Sequence, residues 1–160
     1  MVCIVPVGIV YNLTRGSIMA KKPNGFILYQ GASLIDGAPI VAIAIVKSSN
    51  VKTGNMVQTY IIRSDINPVE ALKTGDDISV CGDCKHRPIN GGACYVNVGQ
   101  GVNAVYKAFL KGNYPVADNV PELGKGRMVR LGTYGDPYAV PVEVWENLTS
   151  LAQGRTGYTH

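Results

Sequence analysis

The stretch Cys81-Gly-Asp-Cys84-Lys-His86-Arg-Pro-Ile-Asn-Gly-Gly-Ala-Cys94 constrains this chain more than any other. It holds three of the four cysteines and divides the sequence into two unlike halves. Before it run apolar, β-branched segments separated by turns; after it, strand-like and helix-like segments alternate. Two thiols at C-x2-C spacing can grip one ion from a single turn. His86 and Cys94 follow, across a flexible Asn90-Gly91-Gly92, closely enough to complete a tetrahedral set, so Cys81, Cys84, His86 and Cys94 are the candidate metal ligands. Three thiolates with His86 make a closed Zn2+ site that staples a loop lacking its own core. Without His86 they leave an open position, which suits catalytic zinc or an iron–sulfur cluster. Ordinary free thiols are the bland alternative. Cys3 stands apart and plays no part in the set.

The length of 160 residues accommodates one domain with a real core and not two well-developed ones. Apolar residues make up 46% and charged residues 16%, the composition of a globular chain rather than a disordered one. The net charge of +4 is carried by scattered lysines and arginines, which permits a nucleic-acid partner without indicating one. Crowded cysteines fit a metal cluster in a reducing cytoplasm better than a secreted disulfide framework. No apolar run is long enough to predict a membrane span. Residues 1–18 lack a basic n-region and are interrupted by Pro6, Asn12 and Arg15. They are expected to be a leader outside the domain, with translation starting at Met19 and a single α/β domain over residues 19–160.

From Gly25 to Val46 two apolar segments flank a turn region containing Asp36-Gly37, and Met56 to Arg63 is a third strand candidate joined by a polar loop, so the first half reads as hairpin-like strands. Asn67 then suits a helix N-cap with Pro68 at the first helical position, and Gly75 suits its stop. After the cluster, Cys94 to Val98 reads as a strand, Val102 to Lys111 as a helix, Met128 to Leu131 as a strand and Val140 to Gln153 as a helix, with Thr156 to His160 opening another strand. The alternation predicts an α/β (or α+β) fold with βαβαβ units and a parallel sheet, possessing either a shortened, barrel-like (βα) form or a homo-oligomeric partner that supplies a missing layer. Function is then expected at the carboxyl ends of the strands, which carry Asn97 to Gln100, Tyr134 to Pro137, and His160.

Two further motifs have competing readings. Gly99-Gln100-Gly101-Val-Asn-Ala104 fits G-x-G-x-x-A between an expected strand and helix, where backbone amides can hold a phosphate. Since no acidic residue ends the next strand, a tight turn is the simpler reading. In Gly132-Thr-Tyr134-Gly-Asp136-Pro137, Asp136 either shapes a turn or serves as general base or ligand beside Tyr134. Arg130, charged inside an apolar strand, requires a partner or a polar pocket and joins Gly99, Gln100 and Gly101 as a ligand-binding candidate. Asn97, Tyr134 and Asp136 are the catalytic candidates.

The blocks Lys52 to Thr59 (KTGNMVQT), Cys81 to Arg87, Cys94 to Gln100, Arg130 to Pro141 and Thr156 to His160 resemble an uncharacterised family of bacteriophage and prophage proteins. Members of that family continue beyond TGYTH with a second cysteine group, where this chain stops. The resemblance covers the chain from about Gly25 onward, and implies a phage origin, a bacterial host cytoplasm and a shared site rather than a reaction. It adds weight to Cys81, Cys84, His86, Cys94, Asn97, Gln100, Tyr134 and Asp136 as a group. Together these readings predict a metal-binding protein with a pocket for a nucleotide or nucleic-acid component, serving nucleic-acid modification or counter-defence. The alternative is a non-catalytic, zinc-stapled protein that occupies a host or phage protein.

Overall fold

The most apolar run of the first half, Ile40 to Ala44, is wholly buried, every residue at 0% exposure. A strand buried on both faces needs cover on both, and this one lies inside a five-stranded sheet carrying helices. The computed structural model describes residues 21–49 and 51–159; the leader with Cys3 and the Met19 start, together with His160, lies outside the described residues.

Strands β1 (Gly25–Ala32) and β2 (Pro39–Ile45) form an antiparallel hairpin, and β3 (Val57–Arg63) pairs antiparallel with β2, from Ile40 opposite Arg63 to Ile45 opposite Gln58. The chain then leaves the sheet through α1 (Pro68–Thr74) and α2 (Ile78–Cys81). An irregular segment, 82–97, follows. A π-helical turn, Val98–Val102, runs on into α3 (Asn103–Leu110), and α4 (Val120–Gly124) leads back to β4 (Met128–Tyr134). β4 lies parallel to β3, and α5 (Val142–Thr149) connects it to β5 (Gly154–Gly157), parallel to β4. The strand order is β1-β2-β3-β4-β5, an open mixed sheet of the α/β class rather than a barrel.

The βαβαβ alternation is present, but its first strand is β3 and not the stretch Cys94 to Val98. That stretch is irregular and gives way to the π-helical turn. Burial explains the difference. Val98 and Val102 stand four residues apart, on one face of a helical turn, and both reach the core. Burying each contributes about 1.5–3 kcal/mol, whereas β propensity separates residue types by only about 1 kcal/mol. The local signals before the cluster behave as their chemistry dictates. The Asn67 side chain accepts the Val69 N–H at 2.9 Å, and Gly75, at φ +86°, closes α1.

The edge beside β1 is partly covered by the segment following α3. Ile27 N–H donates to the Pro115 carbonyl, and Ala117 N–H to that of Ile27. Among the described residues, no helix is long and apolar enough to cross a membrane.

Candidate functional site

Where β4 ends, the sequence Gly132-Thr-Tyr-Gly-Asp136-Pro137 makes a tight bend over β3. Gly135 sits at φ +86°, and a Cβ there would stand 2.7 Å from Ile61 Cβ, so both the conformation and the close approach require glycine. The bend is held from four sides. Thr59 of β3 donates its hydroxyl to the Arg130 carbonyl at 3.1 Å and accepts the Gly132 N–H at 2.9 Å, bridging the irregular register between β3 and β4. The Asp136 N–H donates to the Val80 carbonyl of α2 at 2.6 Å. The Trp145 indole of α5 donates to the Pro137 carbonyl at 2.8 Å. The Asp136 carboxylate accepts both the Tyr138 N–H at 2.9 Å and the Thr159 hydroxyl at 2.8 Å, which draws the segment after β5 against the bend.

The Asp136–Val80 bond places the bend beside Cys81, at the end of α2. The following segment has little regular structure, yet a buried ion pair holds it. Arg87 reaches the Asp77 carboxylate with two guanidinium nitrogens, Nε at 3.0 Å, and also donates to the Gly75 and Gly82 carbonyls; the two side chains are 7% and 1% exposed. A bidentate pair with its remaining donors satisfied keeps its Coulombic attraction against the cost of desolvation. The segment also folds back on itself. A Cβ on Gly92 would meet the Lys85 carbonyl oxygen at 2.4 Å, so glycine permits the return that brings Cys94 alongside Cys84 and His86.

These two units enclose a cavity of about 370 Å³. Cys81, Cys84, His86 and Cys94 line one side, and Thr133, Tyr134 and Asp136 line the other. Tyr95, Tyr158 and Thr159 complete the wall, the first two largely exposed. Burial, with Asp77 and Cys94 adding to it, pushes the Cys81 thiol up to about 12, so at neutral pH it is a thiol and a poor nucleophile. Burial also pushes Tyr134 well above the usual phenol range, with Cys81 and Asp77 contributing. The Cys81 thiol lies against the Tyr134 hydroxyl, but a thiol is a weak partner. Neither the Tyr134 hydroxyl nor that of Thr133 has a hydrogen-bond partner of sound geometry among the described residues. Two buried hydroxyls left in this way, on residues that line one cavity, mark an under-satisfied stretch of its wall.

The sequence-predicted residues divide accordingly. Cys81, Cys84, His86, Cys94, Tyr134 and Asp136 face one cavity. Asn97, Gly99, Gln100 and Gly101 do not line it. With no strand ahead of them, Asn97 and Gln100 are not aimed at a strand's carboxyl end, and Gly99 and Gly101 belong to the π-helical turn rather than to a strand-to-helix phosphate loop. Arg130 reaches the rim indirectly, donating to the Tyr95 hydroxyl at 2.9 Å. Thr133, Tyr95, Tyr158, Thr159 and the Arg87–Asp77 pair are additional to the expected set. Arg87, Tyr158 and Thr159 lie inside the CGDCKHR and TGYTH blocks, and that was the available signal.

No three His, Cys, Asp or Glu side chains among the described residues are gathered tightly enough to hold a metal ion as they stand. The donor set itself, three thiols and an imidazole on one cavity, has the chemistry of a zinc or iron–sulfur site. The molecule is thus a mixed α/β protein with a thiol-lined cavity at the carboxyl ends of parallel strands, where open α/β sheets commonly bind ligands. The chain matches no family model, no curated protein and no solved structure.

Proposed function

We propose that this chain is a metal-binding protein in which Cys81, Cys84 and Cys94, with His86, take up Zn2+ or an iron–sulfur cluster on the wall of a cavity for a nucleotide-related ligand. The observation that carries the reading is the meeting of the three thiols and His86 with Tyr134 and Asp136 on one cavity, from segments far apart in the chain. Cys84, His86 and Cys94 share the irregular segment 82–97, so loading an ion requires these side chains to close on Cys81. A bound cation would favour the thiolate that burial now opposes. The Thr133 and Tyr134 hydroxyls, once the wall opens to them, would supply polar contacts, and the exposed Tyr95 and Tyr158 rings supply faces on which a base can stack. A phage origin rests on the resemblance of the sequence blocks alone.

Metal analysis and ultraviolet–visible spectra of anaerobically purified protein test the first half. The expected result is about one zinc per chain, or iron with sulfide charge-transfer bands, and loss of the metal in Cys81→Ser and Cys94→Ser. Metal-free, colourless protein that stays folded after chelation would overturn it.

One observation favours a second reading, a zinc-stapled binding protein without catalysis. The Asp136 carboxylate is engaged by the Tyr138 N–H and the Thr159 hydroxyl, which is the geometry of a residue that shapes a turn. If partner affinity survives Asp136→Ala in a folded, metal-loaded protein with no turnover to lose, this reading replaces the catalytic one.

A further inference from the structure

The end of the sheet opposite the thiol cavity holds a second concavity, of about 700 Å³, lined by Lys21, Lys22 and Lys47 together with Ser48, Ser49 and Asn113. The topology fixes its place. β1 begins and β2 ends there, and β4 starts from the same end, whereas Cys81 and Tyr134 lie where β4 finishes. No carboxylate lines the groove, and among the described residues none of its three lysines forms an ion pair. Asp36, Asp65 and Asp136 sit toward the other end, just after β1, β3 and β4, and Asp77 precedes α2 beside the thiol cavity. The groove also has a built floor. The Asn24 carbonyl accepts the Val46 and Lys47 N–H groups at 2.9 and 3.4 Å, and Arg127 donates to the Val46 carbonyl at 2.6 Å and to that of Asn55 at 2.7 Å, clamping the segments that carry the lysines.

We infer that this groove binds the phosphodiester backbone of nucleic acid, through Lys21, Lys22 and Lys47. A concave, one-signed surface concentrates anions and speeds their arrival. Hydroxyl and amide side chains beside the lysines are ordinary phosphate partners. The lining contains Pro23 as its one apolar residue, so it offers little to a lipid surface, which needs apolar side chains to enter the bilayer boundary. The site is independent of metal loading at Cys81, since it stands at the other end of the sheet.

Fluorescence anisotropy of the full chain with a labelled, mixed-sequence single-stranded 20-mer tests the inference. Three phosphate contacts predict that log K falls with log salt at a slope of about −2. Lys22→Glu and Lys47→Glu should each weaken binding about tenfold, while Lys73→Glu, the same charge change on α1, should leave it within twofold. These side chains are exposed, and circular dichroism verifies that each variant is folded. Cys81→Ser should not alter the affinity, which separates failure here from failure of the metal reading. Absence of binding at low salt, or equal loss in Lys73→Glu, would overturn the proposal. So would phosphatidylserine vesicles binding more tightly than the oligonucleotide with the same Lys47 dependence, since the groove would then serve a membrane.

Discussion

Arg87 does more to order the thiol cavity than any residue with reactive chemistry. Its guanidinium spans Asp77, Gly75 and Gly82, so it joins the end of α1, the start of α2 and the cysteine-bearing segment 82–97 in one buried arrangement. Removing one member of such a pair leaves the other charge buried and uncompensated. Arg87→Ala is expected to cost about 3–5 kcal/mol, read as a lower urea midpoint with an unchanged slope. Lysine cannot reproduce the planar fork, so Arg87→Lys should recover only a minor part of that loss. Should Arg87→Lys prove as stable as the parent, the pair contributes charge alone and its geometry is incidental.

The segment between α2 and α3 is organised by contacts rather than by secondary structure, which is why it was hardest to read from sequence. Asn67, Pro68 and Gly75 announce a helix through interactions within a few residues of themselves, and that helix is there. The Cys94 to Val98 stretch has the side chains of a strand but no partner strand beside it, and burial of Val98 and Val102 decides its shape instead. β3 was visible as a strand, but its parallel partner is remote, with Val57 opposite Val129, so its role as the opening strand of the βαβαβ unit was not. The same misplacement explains the site. Tyr134 ends a correctly placed strand, Asp136 follows it, and both meet the cysteines, while Asn97 and Gln100 depended on a strand that does not form. Gly92 tests whether the segment behaves as a unit. Gly92→Ala should open the return past Lys85 and His86, raising the rates of proteolysis within 82–97 and of Cys94 alkylation, while the sheet's far-ultraviolet signal is kept. Unchanged rates in a folded variant would show that the close approach is relieved without moving Cys94.

Across the whole molecule, two unlike cavities stand at opposite ends of one sheet: the lysine groove where β4 begins, and the cavity lined by thiols, Tyr134 and Asp136 where it finishes. Buried phenols, together with the Cys81 thiol, also oppose unfolding less as the pH becomes alkaline. Burial raises Tyr60, against an opposing contribution from Arg130, and raises Tyr114 with Tyr60 adding to it. A phenol whose native pKa lies above its unfolded value of 10.0 keeps its proton in the folded state after the unfolded chain has lost it. Its contribution is complete below pH 10.0 and disappears as pH rises through the native value. Urea midpoints should therefore fall from about pH 9, where the unfolded chain begins to lose the Cys81 proton, and more steeply above about pH 10, and Tyr114→Phe should flatten the steeper part; an equally steep decline in the variant would assign it to other groups. The Thr59 bridge bears on time rather than on energy. An amide at a break in a ladder normally exchanges its hydrogen with solvent quickly, but that of Gly132 is bonded to a hydroxyl at 0% exposure. It should exchange as slowly as the Val129 amide in the parent and rapidly in Thr59→Val, with Val129 still slow. Gly132 thus becomes a clock for opening of the cavity wall, readable by nuclear magnetic resonance whatever the cavity binds.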